Sequence, residues 1–451
     1  MDHPTSPLVE PATRERLSIR RAGLLSSIFF GASVTEAVSV HLLPLTLALS
    51  TRDPVIITLV LAINPAFGFI AQPLVGVLSD HVWTRFGRRA VFVIVSGPII
   101  AASLLWIPFS SSFELLVVTV VVLQFFQDVV NGSDQPLLAD LAPPEQRTST
   151  LGLVKSAENV GFLLVLSAGM PLVESYAKAH GEHRYGLPLY AAAAGCQIVF
   201  VALAALCLDE QPIPRQPRPR LSAARYVADF LHQPMLPRIA AAYFLRAFAR
   251  TAVVGSAALY ARHTLQMSEQ EYGASWGLMP LIALVSGVPL GWLAERYAKQ
   301  RVLQLAFTML IAASGIGYCF GSAAGLTAAA LVFGIGDMLL EVTHKAFMSE
   351  YYPADLIGQL SGAVNCFYAA GRTAALITVG WCVKLTNPTL DWASLPEDAQ
   401  VNYGVIWLIA SAAAAAGITL LTFTRDYRHE ARTQRKGPHE WDCPSDRVPR
   451  R

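Results

Sequence analysis

Eleven ionisable side chains fall inside otherwise apolar stretches of this sequence: Glu36, Asp128, Asp134, Lys155, Glu158, Arg246, Arg250, Asp337, Glu341, Lys345 and Arg372. A charge in an apolar medium is costly, so it pairs, loses its charge or lines a polar path. Arg246 and Arg250 are four residues apart and share one helix face, as do Glu341 and Lys345. Lys155 and Glu158 are three apart, which also permits pairing. The set holds five cations and six acids, so one acid is in surplus. A carboxyl that loads and releases a proton accounts for that surplus. Asp128, near the middle of its stretch, is the first candidate for proton coupling, with Glu36 and Asp134 beside it. Arg246, Arg250, Asp337, Glu341, Lys345, Arg372, Lys155, Glu158 and Asn131 are candidates for substrate binding or gating. Tyr243, Trp276 and Tyr368 offer stacking faces.

The elements that carry these groups follow from composition. Of 451 residues, 53% are hydrophobic and only 15% are charged, against roughly 25% charged in an ordinary soluble domain. Six cysteines in this length exclude a disulfide scaffold, and the apolar content excludes disorder. A bilayer core takes about 20 apolar residues of helix per crossing. Twelve stretches qualify: 22–49, 54–79, 90–109, 113–140, 148–177, 187–208, 239–263, 271–294, 302–321, 323–349, 357–384 and 403–424. The expected fold is an all-α membrane protein. The charges fall on the first, fourth, fifth, seventh, tenth and eleventh stretches, while the third, sixth, ninth and twelfth hold none between their ends. This period of three predicts stretches 1, 4, 7 and 10 around a polar interior, with 3, 6, 9 and 12 facing lipid.

Lys and Arg in the connections set the orientation. The predicted inner side takes Arg85, Arg88, Arg89, Arg215, Arg218, Arg220, Arg225 and the basic tail; the outer side takes only Arg52, Lys178, Arg184, Arg262 and Lys384. Both termini are therefore expected in the cytoplasm, and no cleavable leader is apparent. The predicted parts are a cytoplasmic segment (1–21), a six-helix bundle (22–208), a proline-rich linker (209–238), a second six-helix bundle (239–424) and a tail (425–451). The halves repeat. Gly76–Asp80 echoes Gly291–Glu295 at an offset of 215, and Gly152 and Gly161 match Gly362 and Gly371 at 210. After the second stretch, Gly76 allows close helix approach, Asp80 can face a helix N-terminus, and Gly87, Arg88, Arg89 and Glu295 complete a predicted conformational latch.

No phosphate-binding G-x-x-x-x-G-K-[ST] run, zinc-ligand spacing or H-E-x-x-H pair occurs. No enzyme activity, cofactor, metal or nucleic-acid partner is therefore expected. Assembled, the residues resemble the major facilitator superfamily along the whole chain. The run Gln72-Pro73-Leu74-Val75-Gly76-Val77-Leu78-Ser79-Asp80, continued by Thr84-Arg85-Phe86-Gly87-Arg88-Arg89, is similar to the glycoside–pentoside–hexuronide:cation symporters. Among these it is closest in pattern to the sucrose–proton symporters, as is Leu137-Leu138-Ala139-Asp140-Leu141. The chain departs from that group in Ala90-Val91-Phe92, in Gln135 where the group has arginine, and in Asp128 where it tends to asparagine. Sodium-coupled relatives place carboxylates on the second helix, where this chain has Asn64.

The resemblance implies a monomeric secondary transporter working by alternating access, with protons and a sugar or glycoside-like small molecule as partners. A bacterial inner membrane is the expected location. Two alternatives stay open: proton-driven efflux of a drug-like metabolite, and a non-transporting assembly factor or sensor on the same fold.

Overall fold

The computed structural model describes residues 18–69, 89–141, 146–207, 235–349, 357–392 and 399–423, with isolated positions 71, 74, 75, 78, 84, 87, 230 and 395. Helix dominates, and the Thr84–Gly87 bridge is the only β pairing among the described residues. Among the described residues a helical segment overlaps each of the twelve expected stretches. In the first half they are α1 (Ile19–His41, continued by Leu43–Ser50), α2 (Pro54–Gly68), α3 (Ala90–Trp106), α4 (Phe113–Leu141), α5 (Arg147–Leu164, then a π turn Val165–Gly169, then Met170–His180) and α6 (Leu187–Cys207). The second half holds α7 (Leu236–Val254, with Ala257–Leu259 and a π turn Tyr260–Thr264), α8 (Glu269–Trp276 and Leu278–Arg296), α9 (Lys299–Cys319), α10 (Ala323–Ser349), α11 (Ile357–Thr386) and α12 (Val405–Thr422). Most are long and apolar enough to cross a bilayer.

The long helices break where the sequence weakens the backbone ladder. Pro44 follows the offset in α1, Pro171 follows the π turn in α5, and Gly255-Ser256 divides α7. Proline has no N–H to give, and a π turn or register step removes the need for one. Helix starts are capped by local chemistry. The Asp53 carboxylate accepts from the Val55 N–H at 2.9 Å, ahead of Pro54 in the first turn of α2. Ser268 and Glu271 form a reciprocal capping box on α8.

The chain divides into two compact units. One takes in residues up to Thr51 and Ala66–Pro217; the other takes in Arg52–Pro65 and Arg218–Arg451. In the first unit α1 packs on α5 and α6, and α3 on α4 and α6. In the second, α7 packs on α11 and α12, and α9 on α10 and α12. The pairings thus recur six helices on. The same glycine device recurs with them. A Cβ at Gly161 of α5 would run into Ser33 and Phe30 of α1, and one at Gly371 of α11 into Phe244 and Ala247 of α7. The outer half of α2 lies antiparallel along α11. The Lys384 ammonium pairs with Asp53 at 2.6 Å, Gly380 makes room for Thr58, and Arg372 donates to Asn64 at 3.3 Å.

Large apolar side chains remain on the outside of several helices, including Val95 and Trp106 of α3, Val199 of α6, Leu305 of α9 and Leu408 of α12. On a membrane protein these are the surfaces that suit lipid, and α3, α6 and α12 carry no charge there.

Close packing between α9 and α12 leaves no room for a side chain at Gly317, where a Cβ would overlap the Trp407 indole, whereas Gly315 faces open space. Gly317→Leu should lower the thermal stability of the purified protein in detergent by about 1–3 kcal/mol through overpacking. Gly315→Ala should leave it unchanged or raise it by up to about 1 kcal/mol through helix propensity. Paired melting curves decide between these outcomes.

Candidate functional site

The second unit gathers a charged cluster from α7 and α10. Arg246 and Arg250 lie one turn apart on α7, and Asp337 and Glu341 one turn apart on α10. The four interlock. Arg246 donates to Asp337 Oδ1 at 3.3 Å and to Glu341 Oε2 at 2.6 Å, and Arg250 Nε donates to Asp337 Oδ2 at 2.9 Å. Asp337 therefore bridges both guanidinium groups. The Arg246 side chain is 1% exposed, against 11% for Asp337, 28% for Glu341 and 29% for Arg250. The cluster runs from a dry end at Arg246 to a more accessible end at Glu341 and Arg250. With two cations and two acids it is formally neutral.

Aromatic rings close the dry end. Tyr243 of α7 and Tyr368 of α11 stack with centroids 4.8 Å apart. The Arg246 guanidinium carbon sits 5.7 Å and 5.8 Å from their centroids, within cation–π range. His344, three residues beyond Glu341 on α10, is fully buried, and its ring lies 5.3 Å from that of Tyr243. Neither of its ring nitrogens meets a hydrogen-bond partner within bonding distance, and the same holds for Nε and Nη1 of Arg246. Buried, unsatisfied donors are uncommon in folded proteins.

The first unit is built differently. Asp128 is 2% exposed on α4, beside the buried amides Gln124 and Gln127. Gln127 donates to Ser39 of α1 at 3.0 Å, and the Thr35 hydroxyl meets Gln197 of α6 at 3.3 Å. Glu36, on the α1 stripe that carries Ser39, is exposed, and Asn131 is half-buried three residues beyond Asp128. Lys155 and Glu158 pair with each other on α5 at 2.5 Å. The Gln127–Ser39 and Thr35–Gln197 bonds join neutral groups, unlike the ionic bonds of the second unit.

Several expected residues fall outside the description. Gly76, Asp80 and Arg88 of the predicted latch lie outside the described residues, as do the side chains of Asp134 and Lys345. Of the rest, Gly87 closes a tight Thr84–Gly87 turn at φ 101°, a conformation that favours glycine. Arg89 is buried at the start of α3, and Glu295 is exposed at the end of α8. Arg372 donates to Asn64 on α2. Trp276 is buried in the core against Phe333 and Trp407 rather than at the cluster.

Sequence reasoning missed two features. His344 shares the Glu341 face by its i, i+3 spacing, a signal present in the sequence. The Asp53–Lys384 tie joins positions 331 residues apart, which no local pattern discloses.

Among the described residues no group of His, Cys, Asp or Glu is placed to hold a metal. A family model described as the Major Facilitator Superfamily matches residues 25–376. The Bacillus subtilis uncharacterized MFS-type transporter YfkL is 25% identical over 301 residues, covering 65% of this chain and 71% of that protein. The Arabidopsis thaliana sucrose transport protein SUC3 is 28% identical over 128 residues, which span 24% of this chain and 22% of that protein. The crystal structure of the nucleoside transporter NupG superposes with a TM-score of 0.69 at 12% identity, over 89% of this chain and 98% of that one. The fold, the apolar helices and the family match agree: the chain is a multi-pass membrane transporter and belongs to the Major Facilitator Superfamily.

Proposed function

We propose that this protein is a proton-coupled symporter for a sugar or glycoside-like small molecule, working by alternating access. The observation that carries this reading is the interlocked set of Arg246, Arg250, Asp337 and Glu341 under the Tyr243–Tyr368 pair. Such a cluster is expensive in a membrane helix unless it binds or moves something polar. Charged groups that donate and accept hydrogen bonds suit hydroxyl-rich ligands, and aromatic faces suit the apolar face of a sugar ring. The partial likeness to a plant sucrose transport protein supports the same substrate class. An accessible acid among cations supports coupling to protons.

The same reading has both termini in the cytoplasm, a bacterial inner membrane as the location and a monomer as the working form. The latch of Gly76, Asp80, Gly87, Arg88, Arg89 and Glu295 belongs to the cycle of opening and closing.

Purified protein in de-energised proteoliposomes should take up one or more of a panel of neutral sugars and glycosides headed by sucrose. Each accepted compound should raise the external pH on addition, because protons enter with it. Transport of a sugar with no pH change would turn the protein into a uniporter. Rejection of the whole panel would remove the substrate class.

Arg246→Ala should abolish uptake and lower stability by about 3–5 kcal/mol, because it strands buried acids without their cation. Adding Glu341→Ala to it should recover part of the melting temperature and none of the uptake. Recovery of both would make the cluster a packing element.

A further inference from the structure

We infer that the cargo carries an oxyanion, a carboxylate or a phosphate, and that the two Nη groups of Arg250 anchor it. This rests on the proposed transport of a sugar-like molecule and narrows that molecule to an acidic one.

The charge balance of the second half calls for a counter-ion. Of the eleven ionisable groups inside apolar stretches, six lie there: the cations Arg246, Arg250, Lys345 and Arg372 against the acids Asp337 and Glu341. The first half is the reverse, with Lys155 against Glu36, Asp128, Asp134 and Glu158. With Lys345 set aside, three arginines still outnumber two carboxylates. Arginine does not shed its proton to relieve the excess, and a charge inside a membrane is costly without a partner. Arg372 donates to a neutral amide, Asn64, at 3.3 Å, which bonds it without offsetting its charge. An anionic cargo supplies the missing charge as it binds.

Geometry singles out Arg250. Its Nε donates to Asp337 Oδ2 at 2.9 Å, so the guanidinium is pinned on one side. Its two Nη groups meet no partner among the described residues, and the side chain is 29% exposed. A pinned guanidinium with both Nη groups open presents two parallel N–H donors, spaced to fit two oxygens of one carboxylate or phosphate. A neutral hydroxyl accepts from one of them at a time and brings no charge. Arg246, one turn away on α7, is used differently. Asp337 and Glu341 both accept from its Nη2, and its side chain is 1% exposed, so it offers no accessible fork. The stacked rings of Tyr243 and Tyr368, beside Arg246, give the uncharged body of the cargo a face to rest on.

Binding to the purified full chain in lipid nanodiscs, followed by calorimetry, tests this. Methyl β-glucoside, methyl β-glucuronide and glucose 6-phosphate share a ring and differ in charge. At least one of the two acids should bind about tenfold or more tightly than the glucoside, as hydrogen bonds between charged groups imply. The tighter of the two acids names the oxyanion. Arg250→Gln should bring the ratio of acid to glucoside affinity down to about one. Arg250→Lys keeps the charge and loses the fork, so it should recover only part of the ratio. Melting curves identify a variant that fails to fold, and if Arg250→Gln does so, Arg250→Lys carries the decision. Wild-type binding of the glucoside as tightly as of both acids overturns the inference and leaves the sugar reading intact. An acid preference that survives in Arg250→Gln, or undiminished in Arg250→Lys, overturns the anchor in the same way. Inorganic phosphate and benzoate complete the set. If either binds in an Arg250-dependent manner while all three sugar derivatives are refused, the sugar reading fails and the oxyanion site stands. Refusal of all these compounds removes both.

Discussion

The second unit is organised around one electrostatic necessity: the Arg246 guanidinium is sealed from solvent and keeps its charge. Arginine does not deprotonate in proteins, so the fold has to bring anions to it. Asp337 and Glu341 do so from α10, and the tyrosine pair lends ring faces from α7 and α11. A break in this set leaves an uncompensated buried charge, a loss of about 3–5 kcal/mol. That penalty fixes the register of α7 against α10 more tightly than apolar contact alone, since one residue of slip would turn the arginines away from the acids.

The two units share a packing scheme and differ in chemistry. Gly161 against α1 and Gly371 against α7 are the same joint built twice. In the first unit the described interior holds hydrogen bonds between neutral groups, Gln127 to Ser39 and Thr35 to Gln197. In the second it holds ion pairs. Glycine positions answer to helix spacing, which the repeat preserves. Polar side chains answer to what passes or binds beside them, and there the halves have diverged.

Much of this was legible in the residues. Twelve apolar runs and the scarcity of charge on α3, α6 and α12 specified a helical membrane fold, because hydrocarbon imposes length and polarity directly. The i, i+4 spacing of Arg246 with Arg250 placed both on one face, and both do reach Asp337. Spacing was a poorer guide to partner choice. Glu341 bonds Arg246 of another helix at 2.6 Å, a partner that no interval within α10 discloses, and the Lys345 side chain lies outside the described residues. Trp276 had the type of a ligand-stacking residue and lies in the core, since aromatic type alone does not encode which face a helix turns inward. The association of the outer half of α2 with α11 depends on Asp53, Thr58 and Asn64 meeting partners more than 300 positions away, and tertiary packing alone decides it.

The π turn at Val165–Gly169 interrupts α5, whereas α11 runs from Ile357 to Thr386 without a break. A π turn carries one residue more than the α-helical path, so the azimuth of everything beyond it advances by about 100°. Lys155 and Glu158 precede the insertion, and Glu174 follows it. Helical-wheel phase cannot be carried across position 165, and the pseudo-symmetric equivalence of α5 with α11, sound at Gly161 and Gly371, drops by one position above that point.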